Sequence, residues 1–195
     1  MTPAQRIAAY EKTTGWEDTL WLHRPSQTIL GVWRMGNDYR VKSGYYGGYP
    51  AGYLKRIKAL FPDKPRALHL FAGRVDLETF PGSTVDCDID LDPDFVDDAE
   101  TLTDTPVADF DLVLADPPYS VEDAVHYGSP MVNRNKVMKA LTQLKPGAHV
   151  VWLDQVRPMY SKKDWSVVAD IGMVKSTNHR YRVVTIFERT GDDDL

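Results

Sequence analysis

Phe110-Asp111-Leu112-Val113-Leu114-Ala115-Asp116-Pro117-Pro118-Tyr119 is the stretch on which the fold turns. The run from Phe110 to Ala115 is continuously apolar apart from Asp111. A short run without strict alternation suits a strand buried on both faces, as in a parallel sheet covered by helices. It ends at an aspartate and two prolines. The prolines stiffen the backbone and remove two amide donors, so the chain leaves the sheet abruptly at the strand's carboxyl end. In open α/β sheets that edge is where ligands bind.

Outward from this stretch lie more short runs of the same kind: Ala67 to Phe71, Thr84 to Asp88 and Ala148 to Leu153. Helical stretches at about Val121 to His126 and Asn133 to Leu144 separate the last two strands. This alternation predicts a mostly parallel sheet with helices on its faces. Trp165 to Val174 and Arg180 to Glu188 leave no room for a crossover helix. They are expected to pair antiparallel, as a hairpin on the sheet edge. The interval from Asp86 to Asp98 is too short for a normal crossover helix, so the fold should be trimmed there.

Upstream, Thr2-Pro3-Ala4-Gln5 reads as a capping box with proline at the first helical position. It opens a helix to about Thr13 that stops at Gly15. Ile29 to Arg34 and Tyr39 to Lys42 flank Met35-Gly36-Asn37-Asp38 and predict a second hairpin. Ala51 to Phe61 places Tyr53, Leu54, Ile57, Leu60 and Phe61 at helical spacing, closed by Pro62 and Pro65. The expectation is one domain over residues 1–195. Residues 1–43 form a helix and hairpin extension, 44–189 the core, and 190–195 an acidic tail.

Composition narrows the function classes. The 195 residues suffice for one core, and 43% are hydrophobic, as in an ordinary globular protein. No apolar run is long enough to span a bilayer, and Met1 to Tyr10 is too polar for a signal peptide, so a cytoplasmic protein without membrane partners is expected. Cys87 is the single cysteine, which excludes an internal disulfide, and the histidines show no metal spacing, so no metal is expected. The net charge of −5 is segregated. Residues 1–74 hold 12 Lys/Arg against 5 Asp/Glu, residues 75–112 hold 13 Asp/Glu and no Lys/Arg, and residues 113–190 hold 11 Lys/Arg against 7 Asp/Glu. A fold that joins the first and third stretches on one face would be basic there, and the alternative is that these charges only solvate the surface.

The chemistry suited to Asp116-Pro117-Pro118-Tyr119 follows from its atoms. A carboxylate and a proline carbonyl can each accept one hydrogen from an sp2 amino group. That draws the nitrogen lone pair off the ring and onto the nitrogen, as attack on a methyl sulfonium requires. Tyr119 offers a face on which an extruded base can stack. A rigid strand-to-loop turn is the plainer reading of the same residues.

These residues resemble the S-adenosylmethionine-dependent amino-methyltransferase family, which modifies adenine N6 or cytosine N4 and carries an Asp/Asn/Ser-Pro-Pro-Tyr signature. The resemblance covers roughly Gly44 to Arg189 and is closest to small phage and bacterial DNA adenine methylases without a separate target-recognition domain. It implies an α/β, Rossmann-like class I methyltransferase fold, a mostly parallel sheet with a C-terminal antiparallel hairpin. It also implies S-adenosyl-L-methionine as cofactor and nucleic acid as partner, DNA before RNA. Asp116, Pro117, Pro118 and Tyr119 become the catalytic set. Phe71, Ala72 and Gly73 match the family's glycine turn, although Val75 stands at its second glycine and His69 where an acidic residue often precedes it. Tyr46 and Gly47 resemble the opening cofactor motif, with Tyr49 where lysine is usual. Asp86, with Asp88 next, is expected to hold the ribose hydroxyls, and Asp98 to contact the cofactor's adenine.

Three later stretches interleave basic with aromatic residues, 120–136, 154–163 and 176–182, and the last two are net basic. Arg134, Arg157, Lys162, Lys163, His179 and Arg180 are their candidates for a nucleic-acid backbone. The rival readings are an RNA methyltransferase acting on guanine N2 or adenine N6, and a non-catalytic methyltransferase-like binding subunit.

Overall fold

The computed structural model describes residues 1–36, 48–120, 122, 124, 131–175 and 181–191. A nine-stranded sheet runs through it, with β1 (Leu20–His23), β2 (Thr28–Met35), β3 (Ala67–Leu70), β4 (Ser83–Asp86), β5 (Phe95–Val96), β6 (Leu112–Ala115), β7 (His149–Asp154), β8 (Trp165–Lys175) and β9 (Tyr181–Arg189). The spatial order is β1-β2-β8-β9-β7-β6-β3-β4-β5. From β5 through β4, β3 and β6 to β7 every neighbouring pair is parallel. β9 runs antiparallel to both β7 and β8. The α/β class expected from the sequence, a mostly parallel Rossmann-like sheet with a C-terminal antiparallel hairpin, is the architecture observed.

β3, β6 and β7 are buried at every residue, which is why their sequences do not alternate. Leu112 and Leu114 enter one core, shared with Trp33, Tyr53 and Ile57, while Val113 and Ala115 enter the other, shared with Val137, Trp152 and Phe187. The first core lies beneath α1 (Pro3–Thr14) and α2 (Tyr53–Leu60), and the second beneath α3 (Arg134–Ala140). Thr2 and Gln5 form the capping box of α1, and Gly15 ends that helix at φ 70°, where glycine lacks the Cβ penalty. Asn133 caps α3 by accepting from the amides of Asn135 and Lys136.

Two expectations need correcting. The C-terminal hairpin is not on the sheet edge, because β2 adds parallel to β8 from Ile29↔Ala169 to Met35↔Lys175 and β1 lies beyond it. β8 is 11 residues long with Ala169, Ile171 and Met173 buried. Left uncovered, a strand of that length would present a long unpaired ladder, whereas the four-residue β1 makes a short edge. The second correction concerns the N-terminal hairpin. Ile29 to Arg34 lies within β2, but its antiparallel partner among the described residues is Leu20–His23. The expected partner, Tyr39 to Lys42, lies outside the described residues, as does most of the expected helix 121–126. Between β4 and β5 the crossover is a single 3-10 turn, Ile89–Leu91, in keeping with the short spacing. No helix among the described residues is long and apolar enough to cross a membrane.

Candidate active site

β3 and β6 are parallel neighbours with Leu70 opposite Ala115, so Phe71 and Asp116 leave the sheet side by side. Phe71 adopts φ 59° and Gly73 φ 51°. For a phenylalanine the left-handed region costs about 1–2 kcal/mol, so the turn must be held by its surroundings. The Ala72 amide donates to the Val85 carbonyl at 3.1 Å, and the Gly73 amide to Asp86 Oδ2 at 2.9 Å. Asp86, the last residue of β4, therefore buttresses the glycine turn. Its Oδ1 accepts from the Asp88 amide at 3.1 Å. Asp88 is exposed and caps the following 3-10 turn through the Asp90 amide. Gly48, Tyr49, Phe71, Ala72, Arg74, Val75 and Asp116 line a small cleft between these loops. Tyr46 and Gly47, which precede it in the chain, lie outside the described residues.

Asp98 is exposed beyond β5, its Oδ1 accepting from the Glu100 amide. The buried residue there is its neighbour Asp97, which accepts from the Asp98, Asp104 and Thr105 amides and the Thr105 hydroxyl. Sequence reading passed over Asp97 because the surrounding run of acids hid it.

Asp116 is poorly solvated. Burial pushes its carboxyl up to about 7, against the Tyr119 hydroxyl bond and the nearby charges of Arg182 and Lys175, with Asp154 adding to the rise. Its Oδ1 accepts a short hydrogen bond from Tyr119 Oη. Pro117 and Pro118 are buried. Tyr49 stacks on Tyr53 with ring centroids 4.9 Å apart, and the Arg182 guanidinium lies 4.5 Å above the Tyr119 ring. Burial, followed by Asp116, raises the phenols of Tyr49 and Tyr119 well above 10, and for Tyr53 burial leads and Tyr49 and Asp116 add to it. All three stay neutral near pH 7.

Arg134 clamps the turn from behind. Its Nε donates to Asp154 Oδ2 at 2.6 Å, and its second terminal nitrogen reaches Asp154 Oδ1 at 3.3 Å and the Tyr119 carbonyl at 3.4 Å. Asp154 has 1% side-chain exposure and Arg134 17%, so this arginine braces the signature turn and is committed within the protein. Arg157 pairs with Asp170. Lys162 and Lys163 stand exposed on the loop after β7. His179 and Arg180 lie outside the described residues. Tyr53 and Arg182 complete the surroundings of Asp116. Arg182 carried a readable signal, since it shares the inward parity of Val184 and Ile186. Tyr53 carried none, because its spacing is that of any core residue.

No protein-family model matches the chain, and no curated protein sequence does. Among solved structures, the crystal structure of N-methyltransferase NodS from Bradyrhizobium japonicum WM9 is similar at 12% identity, over 71% of this chain and 93% of that chain, with a TM-score of 0.48. A likeness of that size carries neither substrate nor chemistry across.

Proposed function

We propose that this chain is an S-adenosylmethionine-dependent methyltransferase acting on the exocyclic amino group of a nucleobase, adenine N6 in DNA. One observation carries the reading: Asp116, at the carboxyl end of a central parallel strand, borders the same cleft as the strained Phe71–Gly73 turn. Acceptor and donor of a transferred group need such adjacency.

The residues fit the cofactor. Strain at Phe71 is maintained by bonds from Ala72 and Gly73 to β4, which keeps backbone beside the cleft. Phe71, Ala72, Gly73 and the Tyr46-Gly47 segment would hold the methionine part, Asp86 in preference to Asp88 the ribose, and Asp98 the adenine. When bound, the cofactor supplies an activated methyl sulfonium. Asp116 and the Pro117 carbonyl then orient the acceptor by taking hydrogen bonds from its amino group. As the N–CH3 bond formed, the S–CH3 bond would break to leave a neutral thioether, and the amino proton would pass to an ionised Asp116 as base. Arg182 covers one face of Tyr119, so a base stacking on that ring uses the other. Exposed Lys162 and Lys163, on the loop after β7, suit a nucleic-acid backbone.

The test is incubation with labelled cofactor and duplex DNA, single-stranded DNA or RNA, followed by identification of the modified base. Label is expected on adenine N6 in DNA. Asp116→Ala should cut transfer at least about a hundredfold, in the range for losing an aligned polar group at the reacting atom, while calorimetry still registers cofactor binding. Unchanged turnover in that variant overturns the assignment, and label found only in RNA moves the substrate class.

A further inference from the structure

Lys175 and Arg182 lie across Asp116 from the glycine turn. β3, which carries the turn, borders β6 on one side, while β7, β9 and β8 follow on the other. Side chains alternate faces along a strand. Leu114, Leu153, Met173 and Val184 all enter the core beneath α1 and α2. Asp116, Lys175 and Arg182 keep that parity, being two positions from Leu114, Met173 and Val184 respectively. Met173 pairs with Arg182 in the ladder, and Lys175 with the buried Met35. One row at the carboxyl edge of one face therefore holds a carboxylate and two cations.

Tyr119 touches two members of this row, donating to Asp116 and lying under the Arg182 guanidinium. Among the described residues neither Lys175 nor Arg182 forms an ion pair. Arg182 Nε is buried without a hydrogen-bond partner, and so is the hydroxyl of Tyr53, a residue with no exposure at all. Native interiors leave few such groups unmatched, and a cluster of them calls for a ligand or water. An oxyanion meets the need, since guanidinium and ammonium groups both favour phosphate or carboxylate oxygens.

We propose that Lys175 and Arg182, with the Tyr53 hydroxyl, bind a phosphate of the acceptor, so that the enzyme takes a nucleotide within a strand rather than a free base or nucleoside. This rests on the reading of the acceptor as a nucleobase. A carboxylate on the cofactor has the same chemistry, but the glycine turn lies on the opposite side of Asp116 from these cations, which favours the acceptor as the source.

The test uses a fluorescent adenine-containing oligonucleotide and the same strand with neutral methylphosphonate linkages flanking the adenine, with binding followed by anisotropy over a range of salt. Lys175→Gln and Arg182→Gln should each weaken the phosphodiester strand about tenfold, and together lower the slope of log K against log salt by about one. With the neutral linkages the variants should bind like wild type. Arg182→Lys, which keeps the charge, should recover most of the loss, separating recognition from damage to the fold. Cofactor affinity in calorimetry should not change. A penalty of equal size on the neutral strand, or one that falls on the cofactor, would overturn the subsite. Phosphate-dependent binding without methyl transfer to any acceptor would uphold the subsite and sink the proposed reaction.

Discussion

Asp97 and Asp116 follow two strands of the same sheet and are both largely withdrawn from water, yet their surroundings treat them oppositely. Asp97 accepts four hydrogen bonds from its own loop. Burial works to raise its carboxyl, but the bonds from Thr105, Asp104 and their neighbours outweigh it and hold the group below the usual range. Among the described residues Asp116 accepts one bond, from Tyr119, and burial leaves it near 7. The first arrangement is complete without a ligand. The second keeps an under-bonded carboxylate beside a strained turn and unpartnered buried donors, as a site awaiting hydrogen bonds from elsewhere would.

The comparison can be broken most forcefully at Asp97. Asp97→Ala orphans the Asp104 and Thr105 amides, and each buried unsatisfied donor costs about 1–3 kcal/mol. A loss of about 3–5 kcal/mol in urea unfolding is expected, and a change below about 1 kcal/mol would mean the loop is not held by this carboxylate.

Asp116 should behave in the reverse sense. Its folded-state pKa, about 7, lies above the unfolded value near 3.9, so unfolding releases a proton between these limits. Its contribution is therefore intact below pH 4, falls as pH climbs toward 7 and is lost above it. Against Asp116→Asn, wild type should lose ground over that window by about 2–4 kcal/mol, as read from urea midpoints at pH 4 and 8. A gap independent of pH would contradict the desolvated carboxyl.

The smallest effect tests the bond that Asp116 does have. Tyr119→Phe removes a donor that lowers the Asp116 pKa, so the midpoint of a single-turnover pH profile should move upward from about 7. A midpoint that stays put would mean the hydroxyl does not tune the carboxyl.

Much of this was legible in the sequence for definite reasons. The capping box of α1, the unalternating strands β3, β6 and β7, and the Asp116–Tyr119 turn all write local physics into consecutive residues. What escaped reading depends on long-range partners. Leu20–His23 is four residues long and becomes a strand only because β2 is beside it. The inner position of the C-terminal hairpin depends on β2 crossing from the other end of the chain. Arg134 reads as a basic surface residue until Asp154, twenty positions away, is seen to engage it. The N-terminal segment, read as an extension, packs behind the cleft, since Trp33 packs edge-on against Tyr53 and Tyr53 stacks with Tyr49 at the cleft.

The most direct measurement is mass spectrometry of nucleosides from the DNA of cells expressing the wild-type chain or Asp116→Ala. N6-methyladenine with the first and none with the second is the predicted result. Nucleosides from wild-type-expressing cells identical to those of cells lacking the protein, or equal N6-methyladenine from both forms, would contradict the account.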